Sequence, residues 1–164
     1  MRWKQVCPKV RSLLKVEDPP HYLIVHCGGN DIGQEDKCEV PRENIKKGLD
    51  KLQNLLPNTT LIWSQVLPRL QWRGEVDHLA LERARVRLNS CIATYILELR
   101  GKYIRYPELQ ESSPCLFRDK VHLNSLGNSF FLHRIQQSFQ DFLADDRVVV
   151  TPKAGDHGPW LQYA

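Results

Sequence analysis

The sequence predicts one three-layer α/β/α domain built on a parallel sheet, and three observations lead there. Short apolar, β-branched runs alternate with longer segments of helical period, an order that builds a parallel sheet covered by helices on both faces. The length of 164 residues fits one core, and 41% hydrophobic with 26% charged residues rules out a wholly disordered, collagen-like or coiled-coil chain. Polar clusters follow the short apolar runs, where open α/β sheets bind their ligands. The domain is expected over residues 1–146, with an irregular tail over 147–164.

Trp3, Val6, Val10, Leu13 and Leu14 recur at helical spacing, with Pro8 tolerable near a first turn or at a kink. Asp18-Pro19-Pro20 breaks this helix. The run Tyr22-Leu23-Ile24-Val25, ending in Gly28-Gly29, reads as a strand near residues 22–27 buried on both faces. Pro41 suits a first helical turn, after which Ile45, Leu49, Leu52, Leu55 and Leu56 form a stripe down to Pro57. Thr59 to Trp63 starts a second strand near 60–66. Asp77 caps a long helix whose core face is Leu81, Ala84, Leu88, Ile92, Tyr95, Ile96 and Leu99, closed by Gly101. Tyr103, Ile104 and Tyr106 give a third strand near 102–106. From Asn124 or Ser125 a last helix is expected to bury Leu126, Phe130, Ile135, Phe139 and Phe142.

The series opens on a helix that no strand precedes, although such helices normally cross over between two parallel strands. The chain therefore reads as starting inside a fold that lacks its first one or two strands. The first remaining strand is apolar on both faces, and an unpaired edge there predicts self-association.

Charge and cysteine usage exclude several classes. Lys plus Arg is 23 against 19 Asp plus Glu, a formal balance of only +4. That excess sits between Arg69 and Arg105, where Arg69, Arg73, Arg83, Arg85, Arg87, Arg100, Lys102 and Arg105 face Glu75, Asp77, Glu82 and Glu98. A solvated helix face explains it better than a nucleic-acid surface, because aromatic interleaving and consecutive basics are missing. Cys7, Cys27, Cys38, Cys91 and Cys115 are odd in number and contain no CxxC pair, which argues against disulfides and zinc and for a reducing compartment. No metal or cofactor is expected. The start lacks the apolar region of a secretory signal and no later run is long enough to span a bilayer, so an intracellular, cytoplasmic or nuclear protein without membrane contact is expected.

Two polar clusters carry chemistry. After the first strand comes His26-Cys27-Gly28-Gly29-Asn30-Asp31-Ile32-Gly33, where glycines permit a sharp turn and Asn30 offers an NH2 donor for a developing oxyanion. Before the last helix comes Asp119-Lys120-Val121-His122, where a carboxylate three residues ahead of a histidine can fix its tautomer and leave a general base. Either motif alone is ordinary turn or capping chemistry; together, each on a strand-end loop, they gain weight. Ser64 is the only serine at a strand end and a weak nucleophile candidate, and nothing in the sequence places it on the base. Cys27 reads as a small buried side chain more readily than as a nucleophile. Arg69 and Arg87 either line a cleft or face solvent.

With Gly28-Gly29-Asn30-Asp31 and Asp119-Lys120-Val121-His122 in this order, the chain resembles the SGNH, or GDSL-type, hydrolases, over about residues 3–143. Val25 to Asp31, Trp63 to Arg69 and Phe117 to Asn124 also look like a narrower group of vertebrate esterase-like proteins, some of mobile-element origin. The resemblance implies a flavodoxin-like sheet, an ester substrate, Asn30 as oxyanion-hole donor, His122 as base and Asp119 as its orienting partner. The family's Gly-Asp-Ser nucleophile turn and second-block oxyanion glycine have no counterpart in these 164 residues. The chain is thus expected to be inert or nearly so. The alternative is a non-catalytic interaction module or a domesticated mobile-element fragment with weak nucleic-acid binding.

Overall fold

Pro8 is the third residue of helix α1 (Val6–Leu13), inside the first turn where a missing N–H costs nothing, so the opening helix tolerates it. A 3-10 turn, Trp3–Gln5, leads into it. The structure, a computed structural model, describes residues 1–33, 42–72 and 77–144 and the backbone of 149–150. Cys38, Pro41, Arg73 and Glu75 lie outside the described residues, as does the chain beyond 150. After α1 come β1 (Tyr22–Val25), α2 (Arg42–Leu55), β2 (Thr60–Ser64), α3 (His78–Glu98), β3 (Lys102–Ile104), a 3-10 turn (Pro114–Leu116), α4 (Ser125–Ala144) and β4 (Val149–Val150).

The strands pair in parallel in the order β1-β2-β3-β4, with Val25 opposite Trp63, Ser64 opposite Ile104 and Tyr103 opposite Val149. The three predicted strands are present and parallel, each ending about two residues early. β1 gives way to a turn in which Gly28 has φ +115 and its carbonyl accepts from the Asp31 N–H. The segment expected to be an irregular tail contains β4, which two valines form only by pairing with β3.

Strand alternation assigns the layers. Leu61, Trp63, Val25 and Tyr103 pack with α1, α2 and α3 in one cluster. Ile62 and Ile104, joined by Tyr22 and Ile24, pack with α4 residues Phe130, Ile135, Phe139 and Phe142 in the other. Ile45, Leu49 and Leu52 of α2 and Leu88, Ile92 and Ile96 of α3 are 0% exposed. Each such side chain stabilises the fold by roughly 1.5–3 kcal/mol. Leu13 and Leu126, expected on buried stripes, are instead exposed at 45% and 46%. Trp3 docks the opening turn: its indole N–H donates to the Asn44 carbonyl at 2.8 Å, its ring meets Trp63 edge-on, and it fills the space that Gly48 leaves. Among the described residues no helix is long and apolar enough to cross a membrane.

Helix ends follow their caps. The Asp77 carboxylate accepts the Ala80 N–H at 2.9 Å, and Asn124, rather than Ser125, caps α4 by accepting the Gly127 N–H at 2.9 Å. The end of α3 differs from expectation. Gly101 N–H donates to the Ile96 carbonyl and Arg100 N–H to that of Leu97, a Schellman closure in which Arg100, at φ 57, is the left-handed residue. Gly101 is needed for close approach, since a Cβ there would lie 2.5 Å from the Leu61 carbonyl oxygen. Arg100→Gly is therefore expected to stabilise the protein by about 1 kcal/mol. Gly101→Ala is expected to destabilise it by roughly 1–3 kcal/mol. Paired urea denaturation curves check both signs.

Candidate active site

Three loops at the carboxyl ends of the strands meet in one cleft. The loop after β1 is a tight turn that presents Asn30 at its tip. Gly28 occupies a backbone region that disfavours side chains, and a Cβ on Gly29 would come 3.1 Å from Arg69 Nη2. Asp31 turns away from the cleft: its carboxylate accepts the Trp3 N–H at 2.9 and 3.1 Å, holding the start of the opening turn. Burial, opposed by that hydrogen bond, raises its pKa.

The second loop follows β2 and is held by α3. Val66 N–H donates to Asn89 Oδ1 at 2.9 Å, and Val66 C=O accepts from Asn89 Nδ2 at 3.0 Å and from Arg85 Nη1 at 2.9 Å. Arg85, expected on a solvated face, is 7% exposed and also paired with Glu82. This clamp carries the chain to Arg69, whose Nη2 donates to Asn30 Oδ1 at 2.7 Å while its guanidinium lies over Trp72. A guanidinium only donates, so Oδ1 is the acceptor of Asn30 and Nδ2 remains its donor. That Nδ2 reaches the Met1 carbonyl at 3.4 Å. Arg69 thus lines the cleft, whereas Arg87 is exposed on α3.

The third loop is a small hairpin. Phe117 pairs with Leu123, and Arg118 N–H donates to the His122 carbonyl at 2.8 Å. Between them Lys120, at φ 64, bends the chain so that Asp119 Oδ1 accepts the Val121 and His122 N–H groups at 3.2 and 2.8 Å. The same carboxylate lies 2.9 and 3.0 Å from His122 Nδ1. These hydrogen bonds, the His122 backbone N–H first and its ring next, hold the Asp119 carboxyl well below the usual carboxylate range. An ionised carboxylate only accepts, so Nδ1 carries a proton, and in the neutral imidazole this leaves the lone pair on Nε2. The Lys120 carbonyl in turn accepts from Leu70 and Gln71 N–H, joining this hairpin to the second loop.

Asn30, Arg69, Val121 and His122 line a cleft of about 490 Å³ together with Gly28, Gly29 and His26. The structure therefore brings Asn30 and His122 to one cavity, with Asp119 behind His122. Ser64 is elsewhere. It is 0% exposed, and its Oγ lies 2.9 Å from His26 Nδ1 and 2.6 Å from the Tyr106 hydroxyl. Cys27 is buried, and that burial, with the Asp31 charge next, raises its thiol pKa, opposite to what a nucleophile needs. Among the described residues no group of three His, Cys, Asp or Glu side chains could hold a metal ion. Sequence reading missed the Asn89–Arg85 clamp and the His26–Ser64–Tyr106 chain. The latter left one signal, a polar residue at or just past the end of three adjacent strands: His26 beside Ser64, and Tyr106 two residues after Ile104, the partner of Ser64.

Ser64→Ala is expected to cost about 1–3 kcal/mol, because it strands the buried Tyr106 hydroxyl. Ser64→Ala/Tyr106→Phe is expected to recover most of that loss, since no polar group is left alone. Thermal denaturation of the two variants checks the order.

No protein-family model matches the sequence, and comparison with curated proteins finds no match. Solved structures do match in shape. A protein of Bacteroides fragilis NCTC 9343 described as an acylhydrolase aligns with TM-score 0.70 at 16% identity, over 87% of this chain and 72% of its own. A catalytic mutant of Axe2, an acetylxylan esterase from Geobacillus stearothermophilus, aligns with TM-score 0.64 at 10% identity, over 84% and 67%. A GDSL-like lipase of Parabacteroides merdae ATCC 43184 aligns with TM-score 0.62 at 14% identity, over 85% and 69%. With its parallel sheet, its helices on both faces and this likeness, the chain has an SGNH, or GDSL-type, hydrolase-like fold.

Proposed function

We propose that the cleft is the acid–base and oxyanion-donor part of a carboxylic ester hydrolase site. The observation that carries this reading is that Asn30 and His122 line one cleft while Asp119 holds His122 Nδ1 at 2.9 Å. In this reading His122 Nε2 takes a proton from an attacking hydroxyl and later returns one to the leaving alcohol. Asp119 orients the ring and stabilises the imidazolium, and Asn30 Nδ2, turned by Arg69, donates to the oxyanion of the tetrahedral intermediate.

The same reading makes the 164-residue chain inert on its own. Among the described residues no serine hydroxyl is bonded to His122, and the strand-end Ser64 is enclosed and engaged by His26. Loss of a triad nucleophile alone costs on the order of 10⁶ in turnover. Purified chain is expected to hydrolyse p-nitrophenyl acetate no faster than its His122→Ala variant. A rate lost in that variant and blocked by a serine-directed covalent inhibitor would overturn the inert reading.

A binding role has its own observation. β1 lies at the edge of the described sheet, is half-buried over Tyr22, Leu23 and Ile24, and carries no Pro or Lys to guard that edge. Pairing of two copies along β1 is the partner contact that this favours. Sedimentation velocity across a hundredfold concentration range is expected to show concentration-dependent association, and a constant monomer would contradict it. For the nucleic-acid alternative, Arg85 and Lys102 of the basic stretch are buried while Arg83, Arg87, Arg100 and Arg105 are exposed.

A further inference from the structure

His26 just past β1, Ser64 as the last residue of β2 and Tyr106 just past β3 continue one face of the sheet, each two residues after a side chain on the α4 side. Ser64 is 0% and Tyr106 2% exposed. Among the described residues the Tyr106 hydroxyl has one hydrogen-bond partner, Ser64 Oγ at 2.6 Å. If Ser64 gave its proton to Tyr106, the phenolic proton would be buried with no acceptor, an arrangement that folded proteins avoid. Tyr106 therefore donates to Ser64. The buried serine hydroxyl must place its own proton as well, and with His26 Nδ1 at 2.9 Å its one other side-chain partner among the described residues, it donates there.

This order leaves the His26 ring proton on Nε2. Although Nδ1 faces the buried serine, His26 as a residue is exposed and lines the cleft that holds Asn30 and His122. Its ring is braced edge-on against Phe131 at 4.9 Å, and Phe131 leans on Tyr106 at the same distance. We infer that His26 is a ligand-binding residue of the cleft, an uncharged Nε2–H donor to an acceptor oxygen of the bound molecule, with Ser64 and Tyr106 as its positioning residues. Desolvation of the ring, opposed by a hydrogen bond to the Ser64 backbone, lowers the His26 pKa and so favours the neutral state. A neutral donor suits an uncharged acceptor such as the carbonyl or alkoxy oxygen of an ester, and this choice of ligand rests on the ester-hydrolase reading. The tautomer does not.

Long-range proton–nitrogen NMR of the imidazoles in the whole chain, with and without 4-nitroacetanilide, separates the two. The amide is an uncharged, non-hydrolysing counterpart of an aryl acetate. The expected result is a neutral His26 with its proton on Nε2, a mixture of tautomers in Ser64→Ala, and a His26 shift on adding the probe. Ser64→Ala/Tyr106→Phe gives the same mixture should the single variant not fold. His26→Phe is expected to weaken the probe roughly two- to tenfold, and His26→Gln, which keeps an N–H donor, to retain it. A proton on Nδ1, or a tautomer unchanged by Ser64→Ala, overturns the inference. So does a probe that shifts Asn30 and His122 but not His26. A probe that shifts none of the three overturns the ester-binding reading and the acceptor site with it, whatever the tautomer.

Discussion

The cleft depends on how the chain leaves β2. Past Ser64 none of the described strands satisfies Val66, and the Asn89 side chain supplies what a strand would, one acceptor and one donor, at 2.9 and 3.0 Å. Arg85 adds a second donor to the same carbonyl and is itself neutralised by Glu82. Buried backbone groups without partners would cost about 1–3 kcal/mol each, so this clamp decides the path of the loop. From it follow the Arg69 contact that turns the Asn30 amide and the Lys120 contacts that dock the His122 hairpin. One helix thereby positions two loops whose side chains face each other across the cleft.

The hairpin shows a second constraint. Asp119 serves backbone and side chain together, accepting from the Val121 and His122 N–H groups and from the imidazole. The hydrogen bonds that close the turn are thus the same ones that keep the carboxylate ionised and the histidine oriented. Gly127 completes the docking, because a Cβ there would strike the Leu116 carbonyl. The geometry of the Asp119–His122 pair and local folding share their interactions, and the turn therefore need not be rigid through burial; His122 and Asp119 are both substantially exposed.

Much of the architecture was legible because it is local. Tyr22 to Val25 and Thr60 to Ser64 announce themselves by β-branched and apolar content, and the α2 stripe by its spacing. Asn30, Asp119 and His122 stand out in the sequence because each lies in a short turn with its own signature, and Asn30 and His122 line one cleft. What was hidden is what depends on distant partners. Val149 and Val150 become a strand only through β3. Arg85 looked like one more cation on a solvated helix until Val66 and Glu82 closed around it. Ser64 could be read as exposed or buried, since its partners His26 and Tyr106 stand 38 and 42 residues away in sequence. Arg100 took the left-handed position expected of Gly101 because the Leu61 carbonyl claims the glycine for contact.

The central claim is that Asn89 on α3, which touches neither motif, organises both. Amide and imidazole NMR spectra of Asn89→Ala compared with those of Arg87→Ala, an exposed site on the same helix, test it most directly. The account predicts that Asn89→Ala moves the Asn30 side-chain amide and the His122 ring signals together while the core of α2 keeps its own, and that Arg87→Ala moves neither. A folded Asn89→Ala protein with Asn30 and His122 unshifted would contradict it.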